Sequence, residues 1–239
     1  MDGCSWKISY GDTSNASGIV GTDIVTIGGL TIENQAIELA TDMSDEFIQS
    51  TGDGVLGLAW GQINGVKPLH VNTPVQNMLD QGDISESSEL FTVYLRSWKD
   101  AKGTDKGESF YTFGYVDEQT LAESKSEIHW APVDNSQGFW AVNSGSVTVN
   151  GTTVDRPGNT AIMDTGTTLA LVSDAACHAI YNAIPGSYYD QNLQGYVFPD
   201  NLREDQLPAV TFAVGDKQIT LRKSDLGFGK IPQTQSPGI

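Results

Sequence analysis

Basic residues are scarce in this chain: 13 Lys and Arg stand against 30 Asp and Glu in 239 residues, a formal net charge of −17 at pH 7. A polypeptide this acidic repels phosphate backbones and anionic lipid, which argues against nucleic-acid and membrane-surface roles. Cysteine is scarcer still. Cys4 and Cys177 lie far apart in sequence and leave room for one pairing, not for a disulfide scaffold. There is no Cys-x-x-Cys motif and no Cys/His cluster, and His70, His129 and His178 are scattered, so neither a metal site nor a cofactor is expected. No apolar run approaches the ~18–20 residues of a membrane helix. The start Met1-Asp2-Gly3-Cys4 carries neither the basic nor the apolar region of a signal peptide.

What is present describes a turn-rich globular protein. Hydrophobic residues make up 38%, charged residues only 18%, and there are 26 glycines. Such a chain can bury a sizeable core, as one large β domain or two smaller ones. Its acidity has two readings. The plain one is solubility; the sharper one is adaptation to acid, where most carboxylates are neutral and self-repulsion fades. Two sequons, Asn15-Ala16-Ser17 and Asn150-Gly151-Thr152, fit a secreted chain.

Most segments read as short strands cut by Gly, Asn, Asp and Ser. Trp6-Lys7-Ile8-Ser9-Tyr10 alternates apolar with polar, the turn cluster Gly11 to Gly18 follows, and Ile19-Val20-Gly21-Thr22 resumes the extended pattern. Together they predict a hairpin with a polar tip. Ile24 to Ile27 and Leu30 to Ile32 continue the meander across Gly28-Gly29. Further strands are expected at residues 91–95, 110–113, 146–149, 210–214 and 218–221. Thr73-Pro74 predicts a helix start, with Gly82 as its end, and Ser173 predicts another over residues 174–183. Residues 98–107 read as an exposed loop.

The chemically informative stretch is Ala161-Ile162-Met163-Asp164-Thr165-Gly166-Thr167-Thr168-Leu169-Ala170-Leu171-Val172. One carboxylate sits inside an apolar strand pattern. Burying it is costly unless hydroxyls and backbone N–H groups solvate it. Gly166 would let the chain approach the carboxylate, while Thr165, Thr167 and Thr168 can supply hydrogen bonds. An ordinary Asx turn at a strand end fits the same residues.

Four segments in order carry a resemblance to the pepsin-like aspartic endopeptidases, particularly the secreted fungal members. Trp6 to Ser14 resembles the family's flap, a hairpin that closes over the cleft. Asp53-Gly54-Val55-Leu56-Gly57-Leu58-Ala59 resembles the N-terminal lobe's hydrophobic-hydrophobic-Gly segment. Val133 to Trp140 resembles the strand pair entering the C-terminal lobe, and Ala161 to Val172 resembles the second catalytic Asp-Thr-Gly. The resemblance implies a mainly β, bilobal pepsin-like aspartic protease fold, incomplete at both ends. Residues 1–130 would form the remainder of the N-terminal lobe with its flap, and residues 131–239 a truncated C-terminal lobe.

The same resemblance implies roles. Asp164 would be a catalytic aspartate. Tyr10, Gly11 and Asp12 would meet the substrate from the flap, although plain strand packing also accounts for Tyr10. Gly166, Thr167 and Thr168 would line the cleft. The partner would be a peptide or protein substrate, and the location extracellular or vacuolar. Such an enzyme uses two facing aspartates, and this sequence contains a single Asp-Thr/Ser-Gly triplet. The expectation is therefore that the isolated chain is inactive, and that missing strands invite self-association. Asp200 stands where some fungal relatives have Cys, so the family's disulfide at Cys177 is not expected.

Three other readings fit the sequence. A catalytically dead paralogue could hold extended peptides without cleaving them. A homodimer could bring two copies of Asp164 together across a two-fold axis. A β-rich carbohydrate binder could use Trp60, Trp98, Trp130 and Trp140.

Overall fold

The computed structural model describes residues 1–97 and 109–231. The loop expected over residues 98–107 lies outside them, as does the tail from residue 232. The chain divides into two compact units, Met1–Ile128 and His129–Ile239, each described by itself.

The first unit is built on a long antiparallel ribbon. β1 (Ser5–Ser9) pairs with β2 (Asn15–Ile27), with Trp6 opposite Gly18 and Ser9 opposite Asn15. β2 turns through Gly28-Gly29 into β3 (Leu30–Met43). Both turn glycines have positive φ, 57° and 88°, the left-handed pair that matches the twist of a tight hairpin. Register shifts between Ser17 and Gly18, and between Asp23 and Val25, bend the ribbon. At the first shift a Cβ on Gly18 would stand 1.9 Å from the Leu39 carbonyl oxygen, so only glycine fits. The two strands expected at residues 19–22 and 24–27 are thus one. Gly21 interrupts the side-chain pattern, but its backbone stays in the ladder opposite Ile37.

β4 (Val66–Lys67) completes this sheet beside β1, in the order β3-β2-β1-β4. Trp6, Val20, Val66 and Cys4 form one buried cluster. A second cluster, Ile32, Met78, Ile84 and Phe113, packs short helices and a second hairpin against β3. After α1 (Asp45–Ile48), α2 (Pro74–Asp80) begins as expected: the Thr73 hydroxyl accepts the Gln76 N–H at 3.2 Å, and Pro74 occupies the first turn. Gly82, at φ 77°, ends it. β5 (Phe91–Tyr94) and β6 (Phe110–Phe113) pair antiparallel, and α3 (Glu118–Ser124) follows.

The second unit opens with β7 (Val133–Asp134), β8 (Ala141–Asn143), β9 (Ser146–Val149), β10 (Thr152–Asp155) and β11 (Thr160–Ile162). α4 (Asp174–Asn182) comes next, then β12 (Tyr188–Asp190), β13 (Gly195–Val197), β14 (Val210–Val214) and β15 (Lys217–Thr220). Three sheets result, ordered β10-β9-β14-β15, β11-β8-β7 and β12-β13. The Ser173 hydroxyl caps α4 by accepting the Ala176 N–H at 3.5 Å. Ala176 and Ile180 of this helix are buried against Val147, Val149 and Val210. Cys4 and Cys177 are both free thiols, so the pairing left open by the sequence is not formed.

Candidate active site

The structure brings the expected site residues together in two groups, one in each unit. The first is the tip joining β1 to β2. The Tyr10 N–H donates to the Ser14 carbonyl at 2.9 Å, and the Thr13 N–H donates to the Tyr10 carbonyl at 3.1 Å. Thr13 carries the turn in the left-handed region at φ 75°. Asp12 closes it: its Oδ1 accepts the Ser14 N–H at 2.9 Å and the Ser14 hydroxyl at 2.6 Å. The hydroxyl bond first, then the backbone bond, holds the Asp12 carboxyl below its ordinary value of 3.8, although the group is fully exposed. Gly11 has neither a positive φ nor a neighbour within 4 Å of an added Cβ. The tip therefore does not require a glycine there.

Tyr10 projects a ring that is 39% exposed. One side packs on Phe47 of α1, with centroids 5.5 Å apart and planes tilted by 56°. Burial raises the phenol above its ordinary value, with the negative charges of Glu38 and Asp12 adding to the effect. Glu38, on β3, is itself raised by burial, while a hydrogen bond from the Asn64 side chain at 3.4 Å works in the opposite direction. Phe47 and Glu38 escaped the sequence reading. Ser44 followed by two acids was a helix-start signal that could have found α1, but nothing local announces that Phe47 faces Tyr10.

The second group surrounds Asp164. The Met163 N–H donates to the Trp140 carbonyl at 2.9 Å, continuing the pairing of β11 with β8 for one more residue. There the ladder ends. The Asp164 Oδ1 accepts the Gly166 N–H at 2.8 Å, and Oδ2 accepts the Thr167 hydroxyl at 2.6 Å. A side-chain acceptor that captures a backbone N–H two residues ahead competes with strand pairing and turns the chain. An added Cβ on Gly166 would stand 3.2 Å from Oδ1. Glycine is thus favoured here by close approach to the carboxylate, as expected. Among the described residues, Thr165 and Thr168 make no hydrogen bond to Asp164.

One expectation needs correction. The apolar pattern around Asp164 predicts a buried strand, yet β11 stops at Ile162 and Asp164 is exposed. Leu169 is 51% and Leu171 89% exposed. The Asx-type capture just described ends the ladder after Met163, and the leucines beyond it are bare because nothing among the described residues covers them. The Asp53 to Ala59 segment behaves similarly: it forms neither helix nor strand, and Val55 is 71% exposed.

A carboxylate offers about four lone-pair directions, and two are taken at Asp164. The rest face solvent and can accept from a water or from a protonated acid. Among the described residues no cluster of His, Cys, Asp and Glu could hold a metal ion.

This mainly β fold with an Asp-Thr-Gly loop belongs to the aspartic proteases: a family model described as eukaryotic aspartyl protease matches residues 1–237. Aspergillopepsin-1 of Aspergillus pseudoglaucus is 38% identical over 239 residues, all of this chain and 56% of that protein. Penicillopepsin-1 of Penicillium janthinellum is 36% identical over 230 residues, 96% of this chain and 65% of its own. In structure, an aspartic proteinase from Irpex lacteus superposes with a TM-score of 0.76 at 24% identity, covering 92% of this chain and 63% of that one. The fold is the pepsin-like one. The chain spans a little over half the length of the first curated relatives it matches.

Proposed function

We propose that this chain serves peptide-bond hydrolysis by an aspartic endopeptidase, with Asp164 as one of two carboxyl groups that activate a water. The observation that carries the reading is the Asp164 loop, in which one backbone N–H and one hydroxyl fix both carboxylate oxygens and leave the remaining lone pairs open to solvent. Two carboxyl groups at hydrogen-bonding distance cannot both ionise comfortably, so one proton is shared between them. The ionised member takes a proton from the attacking water, and the protonated member donates to the carbonyl oxygen. Tyr10, Gly11 and Asp12 would meet an extended peptide substrate from the hairpin tip. Gly166, Thr167 and Thr168 would line the cleft beside Asp164. On this reading residues 1–130 and 131–239 correspond to the two lobes, and the protein works outside the cell or in a vacuole.

The 239 residues contain one Asp-Thr/Ser-Gly triplet. A mechanism that needs two such aspartates is not met by a single triplet, so the chain by itself should not turn over substrate. The exposed apolar stretches near Val55 and Leu171 support the same reading, since they offer surfaces for a further segment to cover. The test is a two-armed assay on an acid-denatured protein substrate. The purified chain should be inert, and refolding it with the upstream Asp-Thr/Ser-Gly segment of a relative should restore pepstatin-sensitive cleavage. Cleavage by the chain alone would sink the two-carboxylate requirement. Tight binding of extended peptides with no turnover in either arm would favour a peptide-holding paralogue.

A further inference from the structure

The proposed chemistry makes no use of the second sequon, Asn150-Gly151-Thr152. It occupies the turn between β9 and β10, where Val149 faces Thr152 across the ladder. Asn150 and Gly151 both have positive φ, 49° and 82°. Asn tolerates this region better than most residues, and Gly tolerates it freely. The turn is exposed at both positions, while Val147 and Val149 behind it are buried.

The orientation of the Asn150 amide is fixed by contacts with the strand beyond. The Asn150 N–H donates to the Ala209 carbonyl at 2.9 Å, and the Asn150 Oδ1 accepts the Ala209 N–H at 2.9 Å. Oδ1 is therefore engaged, and among the described residues Nδ2 has no hydrogen-bond partner. The atom that a glycan would join is the one the fold leaves free. The other sequon differs. Asn15 sits at the first rung of β2, at the hairpin tip, and its Nδ2 donates to the Thr13 carbonyl at 3.5 Å.

We propose that Asn150 is an N-glycosylation site, the acceptor of an oligosaccharide from a lipid-diphosphate donor. A bond forms between Asn150 Nδ2 and the anomeric carbon of the first sugar. The bond from that carbon to the diphosphate oxygen breaks, the lipid diphosphate leaves, and Nδ2 gives up one proton. No oxidation or reduction occurs. The product is still an amide, so its carbonyl keeps the bond from Ala209, and the glycan projects from the turn without asking the sheet to move.

The inference rests on the chain entering a secretory pathway, and the experiment separates the two. The full chain is expressed in a yeast with a secretion leader appended, which secures entry, and the secreted protein is mapped by peptide mass spectrometry with and without an endoglycosidase. Peptides containing Asn150 should carry glycan that the enzyme removes, and Thr152→Ala should abolish it while retaining the Asn150–Ala209 hydrogen bonds. An unmodified Asn150 in the secreted wild-type chain overturns the proposal, whether or not Asn15 is occupied. Should Thr152→Ala fail to be secreted, mapping of the wild-type chain alone still decides. Whether the natural protein is exported is read separately, by locating the native protein in its own host.

Discussion

Asp12 and Asp164 are held by nearly the same local device, yet the two carboxylates are presented differently. Each accepts a backbone N–H from the residue two positions ahead, at 2.9 Å for Asp12 and 2.8 Å for Asp164, and each takes a hydroxyl at 2.6 Å. The difference is in how the oxygens are used. At Asp12 both donors come from Ser14 and crowd a single oxygen, closing a turn between two paired strands. At Asp164 the donors come from two residues and take one oxygen each, where a ladder has just ended. The first arrangement finishes a hairpin; the second presents a carboxylate edge. Aspartate followed by small polar residues therefore specifies a cradle, and what surrounds the cradle decides its use.

The largest expected effect tests this contrast on activity. In the protein refolded with a second Asp-Thr/Ser-Gly segment, Asp164→Asn should lower kcat by about 10²–10⁴-fold, the range for removing a positioned acid or base. Asp12→Asn should act on KM instead. Equal losses of kcat at both positions would erase the distinction, and steady-state kinetics on one peptide substrate would read it.

Glycine substitutions sharpen the same comparison. Gly166→Ala pushes a Cβ to 3.2 Å from the Asp164 carboxylate, whereas Gly11→Ala meets nothing within 4 Å. Activity in the refolded protein should fall for the first, while thermal unfolding of the second should match the parent within about 0.5 kcal/mol, as for a typical surface change. A destabilised Gly11→Ala would mean the tip is tighter than its geometry indicates.

A third prediction concerns acid. Burial raises Glu38, so its charged form costs stability at neutral pH, and that cost disappears below its ordinary value of 4.5 as the group protonates. Glu38→Gln should raise the Tm at pH 7 and leave it unchanged at pH 3, in parallel thermal melts. A gain of equal size at both pH values would assign the effect to packing.

The smallest effect is at Ser14. The Asp12 carboxyl is depressed, so its contribution is present above 3.8 and fades as pH falls through the lower folded value. Ser14→Ala removes the first cause of that depression. The carboxyl resonance of Asp12 in an NMR titration should then move toward the ordinary value.

Parts of this architecture were legible in the sequence because local signals and burial agree there. Residues 110–113, 146–149 and 210–214 alternate β-branched or aromatic side chains between turns, and they are strands with those bounds. Thr73-Pro74 and Ser173 marked helix starts that the hydrogen bonds reproduce. The latter part of β3 was not legible, since Glu33 to Met43 mixes charge and apolar residues without a clean period. Its extended state comes from the partner strand β2. At the candidate site, the close approach of Gly166 and the Thr167 hydroxyl bond were readable from residue types. The exposure of Leu169 and Leu171 was not, because burial depends on what packs against a segment rather than on its own composition. The packing of Tyr10 on Phe47 is tertiary in the same sense.

The bare leucine at position 171, 89% exposed, also has a colloidal consequence. At neutral pH the excess of acidic groups keeps neighbouring molecules apart and masks the stickiness of such patches. As the medium is acidified toward charge balance, that repulsion dwindles while the greasy surface stays. Purified material should therefore cloud first in mildly acidic buffer, the medium in which carboxylate chemistry of this kind would be assayed.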